Sequence, residues 1–107
     1  MHVQVNSDHN IKGHQALVVS VTGTVESALS RFSSRITRVE VHVSDEDGKK
    51  NGANDKRCVM EARLEGRQPL AVAHQAPTVN EAVEGAAGEL TRLIEHALGH
   101  QQDQHIR

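Results

Sequence analysis

Between Asp55 and Gln75 the chain reads DKRCVMEARLEGRQPLAVAHQ, and its first half alternates without a break. Cys58, Met60, Ala62 and Leu64 fall on one parity, and Arg57, Val59, Glu61, Arg63 and Glu65 on the other. Successive side chains of a strand point to opposite faces, so this spacing predicts one buried and one polar face. Gly66 and Pro69 supply a turn, glycine by tolerating positive φ and proline by having no amide to give to a ladder. The stretch is therefore predicted to be an antiparallel hairpin. The remainder of the chain must cover its apolar side or extend its sheet.

A chain of 107 residues holds one domain and one core. We place that domain at residues 1–99, with 100–107 as a flexible C-terminal tail. Phe32 is the only aromatic ring, so the core must be built from Val, Leu, Ile and Ala. Met1 to Asn6 alternates with Val3 and Val5 inward. From Gly13 to Phe32 the apolar positions Leu17, Val18, Val21, Val25, Ala28, Leu29 and Phe32 recur every three or four residues, as on one face of a helix. The run Val18 to Val25 is rich in β-branched residues and contains Gly23, so packing on the sheet must hold this helix.

Arg35 to Ser44 alternates again, with Val39, Val41 and Val43 inward, and residues 45–54 read as an exposed loop. After the hairpin, Thr78 and Glu81 form a capping-box pattern: the hydroxyl can accept from the Glu81 amide and the carboxylate from the Thr78 amide. A second helix follows, with a stripe of Val79, Ala82, Val83, Ala86, Leu90, Leu93, Ile94 and Ala97, and Gly99 as its C-terminal cap. The order is β-α-β-β-β-α. This predicts an α+β two-layer fold, a four-stranded mixed sheet with two helices on one face. The other face is expected to be polar, with Arg63 and Glu61 in cross-strand ion pairs.

The net charge of −2 excludes the global basic field of a simple nucleic-acid binder. The charge is uneven, however. Between Arg31 and Arg67 there are nine Lys/Arg against seven Asp/Glu, and from Gln68 onward two against five. Any anion-binding surface is thus expected in the middle segment. Arg31, Arg35 and Arg38 follow the first helix, and Lys49, Lys50, Lys56 and Arg57 flank the loop. They read either as phosphate contacts or as an ordinary solvated surface interleaved with acids. The absence of Trp and Tyr argues against readers of single-stranded RNA that stack bases on aromatic rings, and backbone and shape recognition would be the mode.

A single cysteine excludes an internal disulfide, no apolar run approaches the ~20 residues of a membrane span, and the N-terminus has no signal-peptide pattern. A cytoplasmic protein with no membrane partner is expected. No Ser-His-Asp arrangement, phosphate-cradling glycine loop or carboxylate pair can be argued from spacing. We therefore expect no catalytic site, no cofactor and no small-molecule substrate. His96 and His100 share a helical face, but two ligands without a third do not make a metal site, and none is expected. Cys58, on the inward parity, reads as a packed thiol.

The order of elements, the segment Phe32-Ser-Ser-Arg-Ile-Thr-Arg-Val-Glu-Val41, the Lys56 to Leu64 strand and the Ala82-Val83 to Leu90-Thr91-Arg92 helix together resemble the ribosome hibernation-promoting factor and ribosome-associated inhibitor A family. This family is also called the sigma-factor modulation proteins. The resemblance covers about residues 1–98 and implies a short-form member without the second, dimer-forming domain. It implies binding to rRNA of the small ribosomal subunit at the mRNA and tRNA channel, and inhibition of translation in stationary phase. The RNA-binding residues would be Arg31, Arg35, Arg38, Lys49, Lys50, Lys56, Arg57 and Arg92, and a positive patch joining Arg31, Arg35, Lys56, Arg57 and Arg92 would favour RNA. The chain departs from the family's basic helices. It has no Lys or Arg between Lys12 and Arg31, and Glu89 stands at a lysine position three residues before Arg92. The competing reading is a protein-interaction or regulatory module of the same fold, with weak self-association through an open face.

Overall fold

A computed structural model describes residues 1–8, 13–45 and 56–106, with side chains placed as far as Gly99. Strand β1 spans His2–Ser7, helix α1 His14–Ala28, β2 Ile36–Asp45, β3 Lys56–Leu64, β4 Leu70–Ala76 and α2 Val79–Ile106. The sheet order is β1-β2-β3-β4, with β1 parallel to β2 and the other pairs antiparallel. This is the expected mixed sheet. Helix α1 packs over β1 and α2 over β3 and β4, so both lie on one face.

The alternation holds where it is longest. Cys58, Met60, Ala62 and Leu64 are buried, as are Val39, Val41 and Val43 across from them. One inward residue escapes simple parity. Ile36 is buried three positions before Val39, because the register between β2 and β3 shifts between Ile36 and Arg38. The irregularity inserts a residue and lets both side chains reach the core. Thr37, turned out at that point, donates its hydroxyl to the Arg63 carbonyl at 3.0 Å. On β4 the core-facing parity is Leu70, Val72, His74 and Ala76, since these pair with the inward residues of β3.

Helix α1 is shorter than its apolar periodicity suggests. Gly13 precedes it with φ +70°, and the α-helix ends at Ala28. A single 3₁₀ turn, Ser30–Phe32, follows, with Phe32 N–H donating to Leu29 O at 2.9 Å and Arg35 N–H to Phe32 O at 2.8 Å. The tighter turn keeps Leu29 fully buried and leaves Phe32 half-buried. At the start of α2, Glu81 N–H donates to Thr78 Oγ1 at 3.1 Å. The return contact differs from the expected box: the Thr78 hydroxyl donates to Glu81 Oε1 at 3.1 Å.

The expected cap at Gly99 does not form. Helix α2 continues to Ile106, and Gly99 does not have the positive φ of a left-handed cap. The sequence beyond it, His-Gln-Gln-Asp-Gln-His-Ile, contains no proline or glycine to stop a helix. The buried stripe nevertheless ends at Leu98 among the described side chains. The loop expected over 45–54 lies, beyond Asp45, outside the described residues. Among the described residues no helix is long and apolar enough to cross a membrane.

Candidate nucleic-acid interface

The basic side chains occupy two ends of the sheet. At one end Arg31 stands on the 3₁₀ turn, its guanidinium 4.9 Å from the centroid of the Phe32 ring and ion-paired with Glu95 of α2. Arg35 closes the same turn. Arg31 and Arg35 line a hollow of about 410 Å³ with Phe32, Glu95, Leu98 and Gly99. At the other end Lys56 begins β3, its Nζ 3.6 Å from the Asp45 carboxylate at the end of β2. Arg57 follows on the open face, in register with Ser44 and Gln75. Arg35 and Lys56 are thus separated by the whole length of β2, roughly 30 Å at the rise of a strand.

Arg92 lies on α2 one helical turn before Glu95, the partner of Arg31. It is exposed on α2, where an added Cβ at Gly88 would sit 3.6 Å from its Nη1. Lys49 and Lys50 lie outside the described residues. The single patch expected to join Arg31, Arg35, Lys56, Arg57 and Arg92 does not form, because the antiparallel order of β2 and β3 sends Arg35 and Lys56 to opposite ends.

The open face between the two ends is close to charge-balanced. Arg38 lies on it, and its guanidinium is engaged on two sides: it donates to Gln4 Oε1 from β1, and its Nε is 3.0 Å from Glu40 Oε2. The Nε approach is an ion pair without hydrogen-bond alignment. Glu40 and Glu61 stand directly opposite each other, a destabilising arrangement for two bare carboxylates. Arg63 relieves it, with Nε 3.4 Å from Glu61 and Nη2 3.9 Å from Glu40. The cross-strand ion pair expected for Arg63 forms with Glu40, whereas the partner of Glu61 is Arg63 on its own strand. Gln4 was not legible as a partner of Arg38, because only the parallel register brings β1 beside β2. A shallow depression of about 300 Å³ lies beside this network, lined by Asn6, Glu40, His42, Val59, Glu61 and Ala71.

On the core side of β4, His74 Nδ1 lies 2.7 Å from Glu89 Oε2 of α2. The ring rests where Gly85 leaves α2 without a side chain. No group of three or more metal-binding side chains occurs among the described residues. Cys58 is fully buried, and burial pushes its thiol up to about 12. A group held above its usual value stays protonated at pH 8, so the reactive thiolate is scarce. Ellman's reagent at pH 8 is therefore expected to label Cys58 only slowly in the native protein and at once in 6 M guanidinium chloride. Rapid native labelling would show that β3 opens readily.

Residues 3–102 match the model of the family described as Sigma 54 modulation protein / S30EA ribosomal protein. No curated protein matches the sequence. Among solved structures, the chain is similar to the N-terminal domain of Thermus thermophilus Protein Y, with a TM-score of 0.64 at 17% identity, covering 90% of this chain and 98% of that one. It is also similar to a ribosomal subunit interface protein from Coxiella burnetii, with a TM-score of 0.70 at 12% identity, covering 92% and 99%. At these identities the likeness to the two structures concerns the fold.

Proposed function

The chain belongs to the Sigma 54 modulation protein / S30EA ribosomal protein family, and from that premise we propose that it is a non-catalytic ribosome-associated factor. It binds the small subunit through rRNA at the mRNA and tRNA channel and silences translation by occupying it. The observation that carries this reading is the family match over 3–102, nearly the whole chain. That one protein of the same fold is named a ribosomal subunit interface protein agrees with it. The chain acts in the cytoplasm of resting or stressed cells.

The chemistry is electrostatic. Arg31 and Arg35 at one end of the sheet, and Lys56 and Arg57 at the other, meet phosphates at two separated places, with Lys49, Lys50, Arg38 and Arg92 adding further contacts. Arg31 and Lys56 have carboxylate partners in the free protein. Exposed ion pairs contribute only about 0–1 kcal/mol, so a phosphate can displace Glu95 from Arg31 at small cost.

Co-sedimentation with purified small subunits across a salt series tests this. Four neutralised phosphates would cost about a hundredfold in affinity between roughly 50 and 200 mM salt. We expect stoichiometric pelleting at low salt, a decline of that order, and weaker pelleting of Arg31→Glu/Arg35→Glu and of Arg57→Glu. Absence of pelleting at low salt would overturn the reading and leave a protein-interaction module of the same fold.

A further inference from the structure

The hollow between the 3₁₀ turn and α2 has more in it than positive charge. Its volume of about 410 Å³ falls within the range of small-ligand sites, about 300–1,000 Å³. Beside Arg31 and Arg35 it is lined by the Phe32 ring, the aliphatic Leu98 and the Glu95 carboxylate. Arg31 is fixed on two sides, over the Phe32 ring at 4.9 Å and by its ion pair with Glu95. A guanidinium so held is a flat plate on which a planar group can lie. Arg35 is different, because its guanidinium has no ion-pair or hydrogen-bond partner among the described residues. Glu95 in turn keeps acceptor capacity beyond what Arg31 uses, since a carboxylate has about four lone-pair sites. The hollow therefore brings together an unpaired cation, a flat wall and a carboxylate.

We propose that this hollow binds one guanine nucleotide, with the phosphate on Arg35, the base against Leu98 and the Arg31–Phe32 plate, and the Watson–Crick edge on Glu95. The carboxylate selects the base. It only accepts hydrogen bonds, and guanine is the base whose Watson–Crick edge sets two donors side by side, N1–H and the N2 amino group. Adenine and cytosine place a ring acceptor beside the amino group, and uracil flanks its N3–H with carbonyls, so each turns a lone pair towards Glu95. Arg35 selects a nucleotide over a nucleoside, because a guanidinium forks onto phosphate oxygens. A single hollow takes a single base, in keeping with a chain that has no Trp or Tyr for a row of stacked ones. The proposal goes beyond the ribosome reading and does not need it. The same chemistry receives a free guanine nucleotide or an unpaired guanosine of RNA.

The full chain, labelled with nitrogen-15, is titrated with GMP, AMP and inorganic phosphate while its amide resonances are followed. We expect GMP to bind about tenfold more tightly than AMP, with shifts gathered at residues 31–35 and 95–99. Glu95→Gln should bring the two nucleotides within about twofold of each other, and Arg35→Ala should weaken both about tenfold. Both side chains are exposed, so neither substitution disturbs the core. Absence of GMP shifts, equal binding of GMP and AMP, or a preference for GMP that survives Glu95→Gln overturns the proposal. A second arm separates the two sources of the ligand. Release of the chain from small subunits by excess GMP, but not by AMP at the same ionic strength, identifies a guanosine of rRNA as the occupant; pelleting unmoved by saturating GMP identifies the free nucleotide. If the chain does not pellet at all, the ribosome reading falls, and the titration still decides this one.

Discussion

Replacing Leu90 by Ala is expected to cost about 3–4 kcal/mol of folding free energy, the middle of the range for a buried leucine. The reason is the composition of this core. Leu29, Met60, Leu90 and Ile94 are its largest fully buried side chains, and the remainder are mostly valines and alanines. The neighbours of Leu90 on its own helix are Ala86, Ala87 and Ile94, of which the alanines have no rotamers with which to fill a void. A cavity left at 90 therefore persists. For a domain of this size such a loss lowers the melting temperature by about 15 °C or more. Urea unfolding of the two proteins measures it; a cost below about 1.5 kcal/mol would mean that the helix layer settles onto the sheet and closes the gap.

Gly85→Val is expected to destabilise by about 2 kcal/mol, although valine is the better helix former. A Cβ at position 85 would stand 2.7 Å from His74 Cγ and overlap the imidazole atoms Cδ2 and Nε2. The ring is not free to leave, because its Nδ1 is bonded to Glu89 at 2.7 Å and it occupies the inward parity of β4 opposite Cys58. Valine must therefore either break that contact, leaving a half-buried carboxylate unpaired, or lift α2 off the sheet edge. In a His74→Ala background the overlap disappears. The same substitution should there be close to neutral, giving a coupling of about 1.5–2 kcal/mol in the double-mutant cycle. Equal costs in both backgrounds would show that Gly85 matters for something other than its seat under His74.

These two positions also mark the boundary of what could be read in advance. Leu90 belongs to a stripe visible in the linear sequence, since Ala82, Val83, Ala86, Leu90 and Ile94 recur with the helical period and all are buried. The inward parity of β3, the valines of β2 and the contact of Thr78 with the Glu81 amide were equally legible. Each depends on the geometry of one element. Gly85 carried no such signal: inside a helical pattern it reads only as a weak helix former, and its role appears when β4 brings His74 beneath it. The end of α2 was misread for a related reason. Gly99 coincides with the end of the apolar stripe, but a stripe reports burial, whereas the backbone helix continues as long as nothing interrupts it.

The candidate site divides in the same way. That the middle segment holds the excess of basic residues follows from counting, and the resemblance of Phe32 to Val41, Lys56 to Leu64 and Ala82 to Arg92 to a known family agrees with the family match over 3–102. By itself, then, the amino-acid sequence determined the order of the elements, the buried face of each and the family. Only the tertiary structure decided that Arg38 is held by Gln4 and Glu40, that Arg31 meets Glu95 sixty-four residues away, and that Arg35 and Lys56 lie at opposite ends of the sheet. The physical reason is that side-chain period is a local property of φ and ψ. The partner of a charge is set by the register and direction of strands and helices distant along the chain, which local periodicity does not encode.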